Sequence, residues 1–350
     1  MTDAAHDKKG GLAESQAMGP AQIRFFAGRD QKLLALPSQP ASVQDAIWID
    51  VLRPRGEDEA MLESSLGLDV PTQEEMREIE VSSRLYLDGD AAFMTAIVLS
   101  RTDGDDAVSS PVTFILSGRR LVTVRYEDPR VFSSFAERAQ KSALGCTDAE
   151  SVMMGLLEAV TDRLADLLER LAPELDAVSR DIFKANAQGS KKNRKPRNSA
   201  DYQQILETIG RKYGLASNIR DSLVTLSRLA SFFLNVAQQR RASTELTSRI
   251  KAFSRDTDAL SEHVDSVTQK ITFLLDATLG LVNIEQNMII KLFSVAAVIF
   301  LPPTLVASIY GMNFDFMPEL KWPLGYPFAV ALMVLSAIVP YIFFKRKGWL

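Results

Sequence analysis

Two charge-free apolar runs near the end of the sequence constrain the fold more than any other feature. The first extends from Leu292 to Tyr310 and the second from Tyr326 to Phe344, and neither contains Asp, Glu, Lys or Arg. A helix of about 19 residues is about 28 Å long, close to the roughly 30 Å of a hydrocarbon core. Helices buried in soluble proteins normally keep a polar face, which both runs lack. The pattern predicts a two-helix transmembrane hairpin.

Basic residues at the ends of these runs set the expected orientation. Lys345, Arg346 and Lys347 directly follow the second run, and Lys291 precedes the first. Lysine and arginine close to a span normally stay on the cytoplasmic side. Both termini are therefore expected in the cytoplasm, with only the loop between the runs outside. Residues 1–20 contain no apolar core, so no cleavable signal peptide is expected.

Composition and motifs argue against several classes of function. The net charge of −4 over 350 residues makes nucleic acid an unexpected partner. The single cysteine, Cys146, allows no intrachain disulfide, and we expect it to be a buried filler in a protein of a reducing compartment. His6 and His263 stand in no metal-ligand spacing, and the sequence has no P-loop motif and no evident nucleophile–base pair. We therefore expect no enzyme activity and no tightly bound cofactor.

The pattern of residues divides the chain into successive segments. We predict a disordered tail (1–20), a cytoplasmic α/β domain (21–147), a cytoplasmic helical hairpin (148–242), a stalk helix (243–291), a first transmembrane helix with a pore mouth (292–313), an extracytoplasmic loop (314–325), a second transmembrane helix (326–344) and a basic cytoplasmic C-terminus (345–350). The lipid bilayer is thus one expected partner.

Strand-like runs dominate the first domain. Runs rich in β-branched and aromatic residues predict strands at Ile23–Phe26, Ile47–Val51, Arg84–Leu87, Ala92–Leu99, Val112–Leu116 and Leu121–Arg125. Asp88-Gly89 and Ser117-Gly118 fit turns between neighbouring strands. Pro71 and the acidic residues after it predict one helix from Pro71 to Glu80. The expected fold class is α+β with a substantially antiparallel sheet.

Helical spacing of leucines replaces the strand pattern beyond residue 148. It predicts one helix from 148 to about 186, a second from 201 to about 241, and a third that starts near 243 and shows no break before the membrane. A helix that continues for about 45 residues before the bilayer needs partners along its flanks, so we expect an oligomeric stalk. The basic stretch 191–197 fits a solvated hairpin tip or a contact with anionic groups, and we assign it no chemistry.

One stripe of the first apolar run and the turn before it is small or polar. Helical steps of three and four place these residues on it: Asn287, Ile290, Ser294, Ala297, Leu301, Thr304, Ser308 and Gly311. Such a stripe suits tight helix packing or the wall of a water-filled channel. The amides of Asn287 and Asn313 at its two ends favour the channel. Ile290 and Leu301 would then form apolar rings that gate by dewetting.

Two further details of this helix are the exact position of the stripe and the straightness of the backbone. Phe293 lies one residue off the stripe, so a small rotation would exchange it with Ser294, and the sequence does not decide between them. Pro302-Pro303 removes two backbone donors inside the span, which predicts a kink.

The end of the first run resembles the CorA family of divalent-cation channels. Tyr310-Gly311-Met312-Asn313-Phe314 is followed by Met317-Pro318-Glu319-Leu320. The match extends through Asn283–Asn287, Leu301–Thr304, Lys321–Trp322, Gly325–Pro327 and the ending Phe344–Leu350, and Glu74–Glu80 of the first domain is similar too. Gly-Met-Asn at a span end, together with the Met-Pro-Glu-Leu loop and the basic end, is a specific signature. The resemblance covers most of the chain.

The resemblance implies a fold, an assembly and an activity. The fold would be an α/β/α cytoplasmic domain, long helices and a transmembrane hairpin, assembled as a homopentameric funnel-shaped channel in the bacterial inner membrane. The activity would be Mg²⁺ influx driven by the membrane potential and gated by intracellular Mg²⁺, with Co²⁺ and Ni²⁺ as secondary ions. Zinc-transporting relatives usually lack the Met-Pro-Glu-Leu loop, so its presence here favours magnesium. A transporter of zinc or another divalent cation on the same scaffold is the alternative. A membrane-tethered scaffold or sensor without transport is a second one.

The resemblance also implies that Gly311, Met312 and Asn313 form the selectivity mouth. Mg²⁺ loses its waters reluctantly, and a ring of Asn313 amides could accept hydrogen bonds from an intact hydrate. Gly311 would permit a backbone turn at the helix end. Asp315 and Glu319 in the outer loop would raise the local cation concentration. The alternative role for Asn313 is that of a helix C-cap.

Acidic residues of the stalk form a candidate regulatory metal site. The stalk residues concerned are Asp256, Asp258, Glu262 and Asp265, and the last three share one helix face at i, i+4 and i+7. Like charges on one face destabilise a helix unless something neutralises them. The resemblance implies acidic sites at subunit boundaries that bind cytoplasmic Mg²⁺ and hold the closed state, and Asp88 and Asp90 of a neighbouring subunit are candidate partners. A solvated acidic face is the alternative.

Overall fold

The computed structural model describes residues 20–104, 106–187, 199–312 and 318–347. The chain divides into two compact units. The first comprises residues 1–195 and 203–274, and the second comprises residues 196–202 and 275–350. The sheet belongs to the first unit, and both apolar runs belong to the second.

A seven-stranded sheet organises the first unit. Its strands are β1 (Gln22–Arg29), β2 (Lys32–Leu36), β3 (Trp48–Leu52), β4 (Leu85–Asp88), β5 (Ala91–Ser100), β6 (Val108–Ser117) and β7 (Arg120–Arg125). Their order across the sheet is β2-β1-β3-β7-β6-β5-β4. Neighbouring strands are antiparallel except β3 and β7, which run parallel. The predicted antiparallel character is confirmed, and each predicted strand overlaps an observed one.

Strand β2 is the strand that the pattern misses. Asp30 and Gln31 form a two-residue turn between β1 and β2, with φ of 52° and 62°. Turns of this kind normally use asparagine or glycine, whose backbones tolerate positive φ. Asp-Gln therefore gives little turn signal in the sequence, although it makes the same hairpin.

Eight helices are present among the described residues. They are α1 (Gly56–Leu66), α2 (Gln73–Arg77), α3 (Val81–Arg84), α4 (Arg130–Lys141), α5 (Ala149–Ala187), α6 (Ser199–Gln239), α7 (Thr244–Tyr310) and α8 (Gly325–Arg346). Short 3-10 turns occur at Pro40–Val43 and Pro318–Lys321. The three long helices α5, α6 and α7 occur where leucine spacing predicts them. The basic stretch 191–197 lies outside the described residues.

The predicted helix from Pro71 to Glu80 is wrong in its extent. Thr72 caps α2, because its hydroxyl accepts from the Glu75 amide while its own amide donates to the Glu75 carboxylate. The chain then turns extended at Glu78, after only five helical residues. Met76 is the buried residue of α2, whereas Ile79 is 86% exposed. The residues that follow α2 bury no apolar side chain, so tertiary packing does not stabilise a longer helix.

A buried ion pair holds the centre of the sheet, where β3 and β7 run parallel. Asp50 on β3 is 0% exposed and Arg125 on β7 is 1% exposed. Arg125 donates to both carboxylate oxygens of Asp50, at 2.9 and 2.8 Å, and Arg24 donates to Oδ2 at 2.7 Å. Thr123 Oγ1 donates to Oδ1 at 2.9 Å and accepts from Trp48 Nε1 at 3.0 Å. The network therefore links β1, β3 and β7.

The charge state of Asp50 follows from this geometry. Burial alone raises the pKa of Asp50, but the guanidinium groups of Arg125 and Arg24 outweigh burial and hold the pKa below its ordinary value. Arg125 also contacts Asp128 and lies 4.9 Å from the centre of the Phe132 ring on α4. The pair therefore joins the sheet to α4 as well.

Helices α4 and α5 approach closely at Gly155. A Cβ added there would lie 2.8 Å from Cε2 of Phe135, a buried residue of α4. We expect Gly155→Ala to lower the free energy of unfolding by about 1–3 kcal/mol, because the ring would have to shift in a packed core. Urea unfolding of the purified protein measures the change.

Gly210 on α6 is the matched control for this substitution. An added Cβ there would meet no atom within 4 Å. We expect Gly210→Ala to be neutral or stabilising, by up to about 1 kcal/mol, because alanine favours helix. Equal effects of the two substitutions would contradict the close packing at Gly155.

The second unit contains the two apolar runs as parts of helices. Helix α7 continues through Pro302 and Pro303 to Tyr310, and α8 covers the second run. Each helix has an apolar window long enough to cross a membrane, and only 6% of each window is buried within the chain. A core helix of a soluble protein would be mostly buried, so the low burial favours membrane spans. The kink at Pro302-Pro303 stays a prediction.

Candidate ion pathway

The predicted pore stripe lies on an uncovered face of α7. Each of its residues is exposed: Asn287, Ile290, Ser294, Ala297, Leu301, Thr304, Ser308 and Gly311. Val295 is only 3% exposed, and Ile299 and Val306 are partly buried. At about 100° per residue, these covered positions lie on roughly the opposite side of the helix from the stripe. The stripe is thus available to water or to further copies of the chain.

Several large apolar side chains on and beside the stripe are mostly exposed. Ile290 is 62% exposed and Leu301 is 65% exposed, and Phe293 reaches 68%. Exposed apolar surface of this extent marks an interaction surface with protein or lipid. Phe293 and Ser294 are both exposed, so the choice between them as the pore-facing residue stays open.

Thr304 presents an oxygen rather than a proton on this face. Its hydroxyl donates to the Phe300 carbonyl at 2.7 Å, one turn back along α7. The hydroxyl proton is therefore used within the helix, and the remaining lone pairs can only accept. Acceptors are what the water shell of a cation requires, because its protons point outward. A shallow groove of about 350 Å³ runs along the same face and includes Ala297, Leu301 and Ser308.

The predicted mouth is described only in part. Gly311 N donates to the Ala307 carbonyl at 2.9 Å and Met312 N to the Ile309 carbonyl at 3.3 Å, so both close the last turn of α7. Asn313 and Asp315 lie outside the described residues. Glu319 belongs to the 3-10 turn Pro318–Lys321, and its side chain also lies outside the described part. The roles of these residues stay predictions.

Gly311 lies in the backbone turn that directly follows α7. Its φ is not among the positive values of the described glycines, so it makes no left-handed turn. A Cβ at this position would instead lie 3.1 Å from the Ala307 carbonyl oxygen. Glycine is favoured here because it leaves that space free.

The acidic residues of the stalk are partly engaged within their own chain. Asp258 accepts from Ser227 Oγ at 2.8 Å, and Asp265 lies 3.4 Å from Arg220. Glu262 is exposed. These contacts with α6 offset part of the like-charge repulsion that motivated the regulatory site. Asp88, the last residue of β4, and Asp90, in the turn that follows, are both exposed.

Asp256 lies in a groove that sequence reasoning does not find. The groove, of about 430 Å³, lies between α5 and α7 and also contains Glu158 and Asp162. Burial, and next the neighbouring Glu158 carboxylate, raise the pKa of Asp162. Helix α5 is almost one hundred residues away in sequence, so no local pattern signals this juxtaposition. Throughout the described ranges, no three carboxylate, histidine or cysteine side chains lie close enough to hold a metal.

Cys146 behaves as an inert buried side chain. It is 1% exposed, and burial raises its pKa to about 11. The thiol therefore remains protonated at neutral pH, where only the thiolate would react or bind metal. The expectation of a buried filler is confirmed.

Known proteins resemble this chain over nearly its whole length. The magnesium transport protein CorA of Salmonella typhimurium is 36% identical over 309 residues, which cover 88% of this chain and 93% of that protein. The magnesium transport protein CorA of Haemophilus influenzae is 34% identical over 328 residues, covering 94% of this chain and 100% of that protein. Identity at this level over this length establishes common descent.

A solved structure and a family model agree with these relatives. The complete structure of the CorA magnesium transporter from Methanocaldococcus jannaschii matches with a TM-score of 0.70 and 19% identity, over 95% of this chain and 100% of that one. That likeness shows the shared fold. The family model described as CorA-like Mg2+ transporter protein matches residues 43–346. This chain therefore belongs to the family of CorA-like Mg2+ transporter proteins.

Proposed function

We propose that this protein carries Mg²⁺ across the bacterial inner membrane along the exposed stripe of α7. The observation that carries the proposal is the exposure of that stripe. Its residues include several hydrogen-bond acceptors and no carboxylate, they lead toward Gly-Met-Asn, and none of the described parts of the chain covers them. Family membership supports the choice of ion. The α7–α8 hairpin spans the bilayer once in each direction, with both termini in the cytoplasm.

The chemistry of the stripe suits a hydrated ion. Hydroxyl and amide oxygens accept hydrogen bonds from bound water but attract the ion less strongly than carboxylates do. Mg²⁺ therefore keeps its waters and passes without the cost of dehydration. Asn313 forms the outer collar of acceptors, with Thr304, Ser308 and Asn287 further along the path. Asp315 and Glu319 concentrate cations at the entrance.

The assembly that completes this pathway is a homo-oligomer, taken as a pentamer from the family resemblance. Copies of α7 would surround a central axis with their stripes inward, which removes Ile290 and Leu301 from lipid. These two residues then form apolar constrictions along the axis.

The driving force is the membrane potential. One charge moved through 100 mV is worth about 2.3 kcal/mol, so a divalent cation gains about 4.6 kcal/mol on entering a negative interior. No nucleotide hydrolysis is required. Co²⁺ and Ni²⁺ hydrates of similar size and charge are expected as secondary ions.

Ion entry into proteoliposomes that contain an Mg²⁺-sensitive dye tests the proposal. We expect uptake that depends on an inside-negative potential and is blocked by hexaamminecobalt, which resembles the hydrate and cannot lose its ligands. Stronger competition by Zn²⁺ than by Co²⁺ would favour the zinc alternative. If correctly assembled protein gave no flux, the alternative of a membrane-tethered scaffold or sensor without transport would be favoured.

Cytoplasmic Mg²⁺ closes the channel by binding between subunits at the stalk carboxylates. A ligand shifts such an equilibrium only through its higher affinity for the closed state. We expect the combined variant D256N/D258N/E262Q/D265N to stay open at internal Mg²⁺ that closes the parent protein. Flux measured at a series of internal Mg²⁺ concentrations checks this.

Asp265 requires a separate control, because its replacement also removes the contact with Arg220. Arg220→Gln breaks the same contact and leaves the carboxylate in place. If D256N/D258N/E262Q/D265N closed normally, these residues would not be the sensor. If Arg220→Gln alone kept the channel open, the effect would come from the ion pair.

A further inference from the structure

The cytoplasmic end of α8 carries three adjacent cations that form no ion pair with the described residues of the chain. Lys345, Arg346 and Lys347, here named the basic end cluster, are all exposed. In the ranges covered by the structure, several carboxylates form ion pairs with other cations, and none forms an ion pair with the cluster. Three adjacent positive charges repel one another, so a bound anion would stabilise them.

Two of the ammonium groups turn back along the helix. Lys345 Nζ lies 5.9 Å from the centre of the Tyr341 ring, and Lys347 Nζ lies 5.2 Å from the centre of the Phe343 ring. Side chains of a helix lean toward its N-terminus, so both lysines reach about one turn, or roughly 5 Å, toward the apolar run. Their charges therefore lie level with the aromatic rings that end the run, and not beyond the helix.

This level corresponds to the headgroup region of a bilayer. Aromatic rings at the ends of a span lie at the membrane interface, and lysines near span ends extend to the same depth. The correspondence rests on the proposed function in one respect, namely that α8 spans the membrane. A soluble anion would meet exposed cations equally well in the cytosol, whereas cations held at ring level meet lipid phosphates first.

We propose that the basic end cluster binds the phosphate of an anionic phospholipid. The lysine ammonium groups and the Arg346 guanidinium donate to the phosphate oxygens, and the rings of Tyr341 and Phe343 contact the upper part of the acyl chains. The cluster thereby fixes the depth of α8 in the bilayer.

Native mass spectrometry of the purified protein in neutral detergent tests this proposal. Short-chain phosphatidylglycerol is the probe, with phosphatidylcholine and inorganic phosphate as comparisons. Each basic residue near an anionic surface contributes about a fivefold factor, so we expect the neutral variant K345Q/R346Q/K347Q to lose up to about 100-fold in affinity. The charge-conserving variant K345R/R346K/K347R should retain phosphatidylglycerol, which separates loss of charge from loss of fold.

A control variant removes the same total charge elsewhere. Lys251, Arg255 and Lys321 are exposed and lie outside the cluster, and K251Q/R255Q/K321Q should bind phosphatidylglycerol like the parent. If K345Q/R346Q/K347Q bound phosphatidylglycerol as tightly as the parent protein, the proposal would be overturned. Displacement of the lipid by inorganic phosphate at comparable concentration would overturn it too, in favour of a soluble anion. Ion flux is not read in this experiment, so its result is independent of whether the transport proposal holds.

Discussion

Replacing Asn313 by alanine is expected to abolish selective Mg²⁺ uptake while the protein still inserts and assembles. The substitution removes the amide acceptors that hold the hydrate at the mouth. One hydrogen bond is worth about 1 kcal/mol, so even two lost bonds per ion reduce selective flux by more than about tenfold. Dye-reported Mg²⁺ entry into proteoliposomes, at matched amounts of assembled protein, measures the effect.

Two controls isolate the role of this amide. Asn235 is an exposed asparagine of α6, and Asn235→Ala should leave flux unchanged. Asn313→Asp tests the preference for a neutral collar, because a carboxylate ring should bind the ion more tightly and slow its release. Unchanged selective flux in Asn313→Ala would remove the residue from the mouth. Loss of assembly in that variant would instead point to a helix cap.

Replacing Asp50 by asparagine is expected to give the largest loss of stability in the first unit. The substitution is almost isosteric, yet it leaves the guanidinium of Arg125 buried without its main counter-charge. Breaking one partner of a buried pair typically costs about 3–5 kcal/mol. Urea unfolding followed by tryptophan fluorescence is a suitable measurement, since Trp48 is fully buried and belongs to the same network.

Asp30→Asn is the matched control. The Asp30 side chain is 90% exposed and its contact with Arg29 is long, at 3.9 Å, so no measurable change is expected. Asparagine also tolerates the positive φ of this turn position. Equal stability of Asp50→Asn and the parent would show that the buried pair contributes nothing net.

The same pair predicts how stability depends on pH. The folded state lowers the pKa of Asp50, so its contribution is fully present above the ordinary aspartate pKa and is lost as pH falls through the folded pKa. The difference in unfolding free energy between the parent and Asp50→Asn should therefore be constant near neutrality and shrink only in strong acid. A difference that shrank already near neutral pH would contradict the lowered pKa.

The spacing of apolar residues is sufficient to predict the long helices, but it does not define short or polar elements. The three long helices follow from their leucine spacing, and α4 could have been found too, since its buried residues Phe132, Phe135, Ala136 and Ala139 recur at i, i+3, i+4 and i+7. The short helix α2 could not be delimited, because a capping box starts it while charged residues give no apolar stripe that marks its end.

Contacts between distant segments were beyond sequence reasoning. Asp50 stands out as a charged residue inside an apolar strand. No local sequence pattern, however, identifies Arg125 on the parallel neighbour β7 as its partner. The groove that gathers Asp256 with Glu158 and Asp162 is hidden for the same reason. The residues that share the exposed stripe could be predicted because they lie on a single helix, where spacing alone decides which residues share a face, and their role as a pore wall stays a prediction.

The parallel pairing of β3 with β7 also bears on biosynthesis. Trp48 pairs with Leu121, so the sheet cannot close until β7 has left the ribosome. The first apolar run begins at Leu292, which is roughly 170 residues later, or about 10–30 s of translation at ordinary elongation rates. Formation of the sheet takes milliseconds to seconds for such non-local topologies. The sheet thus has time to form before the first apolar run is synthesised, although the helices that complete the first unit end only shortly before that run.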